Sequence, residues 1–236
     1  VGGYSQTIPN PSFETDAFTV FPGYVSGNSA ITDWTVSNPD RAGLNPGGGS
    51  PFADNGTIPA GSNVAFIQSD PSGALPSTLS TTISGLEVDA KYKLTFRANA
   101  RNGQWPNLKV SIDSQEILAV KVGSVGGANA YWHVACEFTA TSIDSVLTLL
   151  NDAAGDHTVV VDDFKLAPSS GNWTVAPWTG DADSGIDPNF LYTHAYSFVS
   201  AASPVINGVG FTGVMYGNPS VAGKFTTTVM GNIYTN

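Results

Sequence analysis

The sequence predicts an all-β protein, built as an antiparallel two-sheet sandwich and followed by a β-rich C-terminal segment. Three observations carry that prediction. Short stretches of alternating apolar and polar residues recur along the chain, bounded by Gly, Pro, Asn, Asp or Ser. No segment sustains the i, i+3, i+4, i+7 apolar stripe of an amphipathic helix. The chain also holds 26 Gly and 15 Pro, with only 12% charged residues, against about 25% in an ordinary soluble domain. Hydrophobic residues make up 41% of 236, enough to build a core and too many for general disorder.

The strands follow in order. Asn63 to Gln68 reads as a buried strand, and Leu79 to Ile83 precedes a turn around Gly85. Lys91 to Arg101 alternates most clearly. Tyr92, Leu94, Phe96, Ala98 and Ala100 take one face; Lys91, Lys93, Thr95, Arg97, Asn99 and Arg101 take the other. Leu108, Val110 and Ile112 alternate with polar residues up to a hairpin tip at Asp113-Ser114, and Ile117 to Val122 returns from it. Tyr131 to Thr139, Ser145 to Leu150 and His157 to Leu166 complete the set. The first 40 residues and the Gly-rich stretch Asn45 to Ser50 read as rim loops, where binding usually sits.

Pro, Ser and Gly cluster around residues 168–172, which read as a linker between residues 1–167 and a segment 173–236. That segment shows strand patterns at Thr193 to Phe198, Val205 to Val214 and Gly223 to Tyr234, with a hairpin signal at Asn207-Gly208. It is a β-rich appendage or an incomplete second module. The start at Val-Gly-Gly, with no Met or basic leader, reads as a mature product or an excised fragment.

Charge narrows the partners. The net charge is −10 with nine Lys and Arg, so phosphate-based nucleic-acid binding is excluded. No apolar run approaches the roughly 18 residues of a membrane helix. The single Cys136 excludes an internal disulfide framework and reads as a small buried hydrophobe.

Several segments have a familiar order. They are Asn10-Pro-Ser-Phe-Glu14, Ile31-Thr-Asp-Trp34, Ile83-Ser-Gly-Leu86, Tyr92-Lys-Leu-Thr-Phe96 with Arg101, and Val161-Asp-Asp-Phe-Lys-Leu166. Over residues 6–167 the chain resembles the galactose-binding-like jelly-roll carbohydrate-binding modules of extracellular bacterial and plant cell-wall proteins. The resemblance implies a jelly-roll β-sandwich, a polysaccharide or glycan partner, and an extracellular or cell-surface location. It also implies that the Asn-x-x-Phe-Glu and Asp-Asp segments are adjacent strands holding a structural calcium. Glu14, Asp162 and backbone carbonyls near Asn10 would be its ligands; calcium takes hard oxygens of this kind. The alternative is a strand end at Asp162 and a Glu14 paired with lysine. A second metal candidate is Asp181 with Asp183, which resembles the start of a calcium loop but lacks its later Glu; a solvated acidic turn is the plainer reading.

Arg97, Asn99 and Arg101 share a strand face, and Trp105, Tyr131 and His133 follow as neighbours. Rings stack on pyranose faces and Arg gives planar hydrogen bonding, so these six form the expected carbohydrate-binding set. The plainer alternative is a solvated sheet face with Trp105 capping the core. Tyr24 and Phe52, in long loops, are weaker ligand candidates. His133, His157 and His194 stand apart with no motif around them, and no nucleophile elbow, metalloprotease motif or phosphate loop is present. The expectation is therefore a non-catalytic binding protein. Two other classes stay open. Some proteins resembling this fold are calcium-dependent cyclases of small apolar metabolites, with one acid in an aromatic pocket. Glu137 is the one Glu to test for that role. The other class is a matrix or surface subunit that self-associates through β-edges.

Overall fold

The computed structural model describes residues 6–72 and 76–169, and beyond them strand backbones between 194 and 235. Alternation places each strand's apolar residues on one side, and two sheets bury those sides against each other. The smaller sheet has the order β1-β4-β9-β6-β7. Its strands are β1 (Thr35–Val36), β4 (Ser77–Ile83), β9 (Ser145–Asn151), β6 (Asn107–Ile112) and β7 (Gln115–Lys121). The larger sheet contains β8 (Trp132–Thr139), β5 (Lys91–Ala100), β10 (Thr158–Pro168), β3 (Asn63–Gln68) and β2 (Ala42–Pro46), neighbours in that order. All of these pair antiparallel. The fold is a jelly-roll β-sandwich, as the sequence predicts.

Leu79, Ile83, Leu108, Val110, Leu147 and Leu149 come from one sheet, and Leu94, Phe96, Ala98, Trp132, Val134 and Val161 from the other, into one buried cluster. Phe13, Trp34, Phe164 and Phe96 close one end as a chain of ring contacts, with centroids 5.1, 5.3 and 4.8 Å apart in that order. Phe164 N–H donates to the Pro11 carbonyl, so the N-terminal and C-terminal motif segments are neighbours. Asp113 and Ser114, both at positive φ, form the two-residue turn between β6 and β7.

The larger sheet continues through β11 (His194–Phe198), β14 (Gly213–Asn218) and β15 (Thr226–Met230), with β11 parallel to β8. A three-stranded sheet holds β12 (Val205–Ile206), β13 (Val209–Phe211) and β16 (Ile233–Thr235). The linker from residue 170 onward, Asp181, Asp183 and the Asn207-Gly208 turn lie outside the described residues.

The strands β1 and β2 were not predicted. β2 carries Gly43, Asn45 and Pro46, residues that signal loops in sequence. Its pairing with β3, from Ala42↔Ile67 to Pro46↔Asn63, supplies what propensity does not.

Candidate functional site

One face of the larger sheet packs on the core; the other points away from it. An open outward face would alternate buried and exposed residues. In β10, Thr158 through Asp162 are all buried, and in β3 so are Val64 through Gln68. Loops therefore cover this face, and the register shows what they cover. Gln68 lies opposite Thr158, and Arg101 N–H donates to the Thr158 carbonyl. In the next outward row, Gly43, Phe66, Val160 and Asn99 stand side by side. One row further, Asp162, Arg97 and His133 are neighbours.

The first covering segment is the loop before and through Tyr24. Gly43 and Gly23 permit its approach. A Cβ at Gly43 would lie 1.8 Å from the Gly23 carbonyl oxygen, and one at Gly23 would lie 1.7 Å from that of Leu44. The backbone is then stitched by Leu44 N–H to the Gly23 carbonyl and by Gly23 N–H to Asn45 Oδ1, both 2.9 Å. The second segment brings in Phe52. Its ring stacks on Phe66 with centroids 4.0 Å apart, and Tyr24 meets both edge-on at 5.8 and 5.3 Å. Phe52 and Phe66 are buried, while Tyr24 is half-buried.

A polar chain runs along the edge of these rings. Tyr24 Oη donates to Gln68 Oε1 at 3.1 Å, and Arg41 Nη1 donates to the same oxygen at 3.4 Å. Gln68 Nε2 donates to Asp156 Oδ1 at 2.7 Å. Arg101 Nη1 stands 3.5 Å from Asp156 Oδ2, and its guanidinium carbon lies 5.8 Å from the Phe52 ring centroid. Asp156 is exposed. Burial, followed by the Asp156 charge, pushes the Tyr24 hydroxyl above its ordinary value, so it stays a proton donor. The arrangement is one accessible carboxyl beside a half-buried tyrosine that covers two buried phenylalanine rings.

The six predicted binding residues divide. Arg101 belongs to this constellation. Asn99 is fully buried: its Nδ2 donates to the Asn55 carbonyl at 2.7 Å, and its Oδ1 accepts Ala100 and Val125 N–H. Tyr131 is buried beside it, and burial pushes its hydroxyl well above the usual phenol range. Arg97 Nη1 lies 3.4 Å from the Tyr131 carbonyl, and His133 is opposite Arg97. Trp105 packs over Gly123, where a Cβ would come within 2.0 Å of it, and its backbone N–H faces His157 Nδ1 at 3.4 Å. The row does not present itself as an open polar strip.

Glu137 does not join the rings either. It is buried against Lys91 Nζ at 3.5 Å and accepts a hydrogen bond from Ser169 Oγ. Phe66, Gln68, Arg41 and Asp156 were missed. No motif marks them, because three elements far apart in sequence bring them together. Periodicity does flag β3, but its outward residues Phe66 and Gln68 read as ordinary buried positions.

Glu14 and Asp162 converge on residues 60–63. Glu14 Oε1 accepts Ser62 and Asn63 N–H at 2.9 and 2.7 Å; Asp162 Oδ2 accepts Ala60 N–H at 2.9 Å, and its Oδ1 accepts Asp163 N–H. Asp162 is fully buried, and this burial pushes its carboxyl up to about 7, with the Asp163 and Glu14 charges adding to the rise. The Asn10 carbonyl accepts Trp34 Nε1 and Phe13 N–H, and its side chain ties Thr15 to Thr32. Among the described residues, no group of three or more His, Cys, Asp or Glu could hold a metal ion.

Comparison with known proteins adds the following. The HpiC1-like family model, described as HpiC1 cyclase, matches residues 5–176. The solved structure of a Stig cyclase, Fisc from Fischerella sp. TAU, was determined with (3Z)-3-(1-methyl-2-pyrrolidinylidene)-3H-indole. It superposes with a TM-score of 0.52 at 17% identity, covering 71% of this chain and 98% of that one. Another cyclase structure from Fischerella sp. TAU has a TM-score of 0.50 at 18% identity, covering 70% and 97%. A carbohydrate-binding module, TmCBM61 with β-1,4-galactotriose, superposes at 0.43 with 19% identity, covering 70% and 99%. These likenesses are of fold. No curated protein sequence matches the chain.

Proposed function

Because the chain belongs to the HpiC1-like cyclase family, whose model spans residues 5–176, we propose that it closes a ring on a small, flat aromatic substrate by proton transfer at Asp156. The expectation of a non-catalytic protein is overturned by that family match. The observation that carries the reading is the Asp156 carboxyl, accessible and held between Gln68 and Arg101 at the margin of the Tyr24, Phe52 and Phe66 rings. A glycan module asks for exposed rings over an open polar groove. Phe52 and Phe66, at 1% and 0% exposure, are packed core rings instead, and the half-buried Tyr24 is the ring that stands beside the carboxyl.

The chemistry needs no co-reactant. Asp156 gives its proton to a substrate π-bond, which leaves a carbocation. The half-buried Tyr24 ring beside the carboxyl stabilises that cation, by about 0.5–2 kcal/mol. A substrate nucleophile closes the ring, and the proton lost from the cyclised cation returns to the carboxylate. The indole ligand of the Fischerella cyclase makes 3-alkenylindoles the first substrates to try. The expected product has unchanged mass and altered retention, and Asp156→Asn lowers its rate by roughly 100-fold or more. Full activity in that variant, or no isomer from any alkenylindole, sinks the reading.

A structural calcium belongs to the same proposal. Two acidic side chains, one of them buried, meet at residues 60–63, and Asp162 held without water favours a nearby divalent cation or a proton. The donors are hard oxygens, so the residues fit calcium, with Glu14 and Asp162 as holders and carbonyl or water oxygens completing the set. The ion would neutralise the acidic pair and clamp the two chain segments that carry it.

A further inference from the structure

Gln68 has an environment that its apolar neighbours do not explain. It is 5% exposed, yet both atoms of its amide are engaged. The oxygen accepts from Tyr24 Oη and Arg41 Nη1, and the nitrogen donates to Asp156 Oδ1. Arginine has no acceptor, so the amide cannot be turned over without facing its NH₂ against the guanidinium. Its orientation is therefore set by chemistry.

We propose that Gln68 is a positioning residue that holds the Asp156 carboxyl so that Oδ2 is the oxygen that carries and delivers the proton. The inference rests on the reading of Asp156 as the acid. Oδ1 is committed to the 2.7 Å hydrogen bond from Gln68 Nε2. Among the described residues, Oδ2 faces only the looser approach of Arg101 Nη1 at 3.5 Å. Protonation at Oδ1 would set two hydrogens against each other; protonation at Oδ2 leaves the Gln68 bond intact. After transfer, the Oδ2–H bond is broken, its electron pair stays on the carboxylate, and the Gln68 N–H and Arg101 stabilise the new charge. The charged and titratable groups facing Asp156 are Tyr24 and Arg41 through Gln68, Arg101 from the end of β5, and His157 next in the chain. Gln68 is the one joined to Oδ1.

The test reads the carboxyl itself. ¹³C-aspartate NMR follows the Asp156 resonance, assigned by its loss in Asp156→Asn, through a pH titration of the full chain. Gln68→Met removes the donor that favours the carboxylate, so the midpoint rises by about one pH unit, a tenfold change in proton affinity. Gln68→Glu places a second carboxyl there, and the pair's first apparent midpoint rises further. With a turned-over alkenylindole, the alkaline limb of the rate profile moves by the same amount, while a merely structural role would leave it in place. Unmoved midpoints in both folded variants overturn the positioning role even where Asp156→Asn is inactive. Wild-type turnover by Asp156→Asn overturns the acid assignment instead. One variant failing to fold leaves the other to decide.

Discussion

Asp156 and Asp162 differ in access to water, and that difference separates their roles. Asp156 is exposed and shares its two oxygens between an amide and a guanidinium, so a substrate can reach it. Asp162 is fully buried beneath the 60–63 segment, its carboxyl pushed from 3.8 up to about 7. In chelator, the folded state then binds this proton more tightly than the unfolded state. The contribution of this group to stability should be greatest below about pH 4, fall as pH rises toward 7, and level off above it. The span is on the order of 4 kcal/mol at most. Melting curves across that range should show the slope, and Asp162→Asn should flatten it; an equal slope in the variant would assign the effect to other groups. Cys136 illustrates burial without function: its thiol is fully buried and pushed up to about 12, so it packs as an inert small side chain.

At the level of elements, the site depends on how closely a loop lies against a strand. The Tyr24 loop rests on β2 because Gly23 and Gly43 have no Cβ to collide with backbone carbonyls. Gly43→Ala should therefore lift that loop, cost about 1–3 kcal/mol, and weaken binding of an indole probe by displacing Tyr24. Calorimetric melting and fluorescence titration check both, and an unperturbed Tyr24 loop with wild-type affinity would remove the argument. The alternating strands among β4 to β9 were legible in sequence because a period-two pattern is local, and β3 because a short apolar run between turn residues is local too. β2 was not, since its pairing with β3 outweighs its Gly, Asn and Pro content.

Across the whole molecule, the ends of the jelly roll are tied twice. Phe13, Trp34 and Phe164 interlock in the core, and the exposed Glu14 and the buried Asp162 clasp residues 60–63. If calcium occupies that clasp, chelation should lower the melting temperature and added calcium should restore it, with Glu14→Gln insensitive to both. A wild-type curve indifferent to chelator and calcium would withdraw the ion. The sequence alone determined the sandwich and the hairpin at Asp113-Ser114, because alternation and turn chemistry are written within a few residues of each other; the nearness of the Asn10–Glu14 and Val161–Leu166 segments was implied by the family resemblance and not by any local pattern. It also singled out Arg101, whose neighbours it could not name. Only the tertiary structure decided that Asn99 is a buried brace and that Glu137 is sealed by Lys91. It alone brought Asp156 to Gln68, 88 positions away, beside rings from two loops and a strand. A site assembled across sheet register and loop docking leaves no local pattern, since each of its residues answers to a contact distant in the chain.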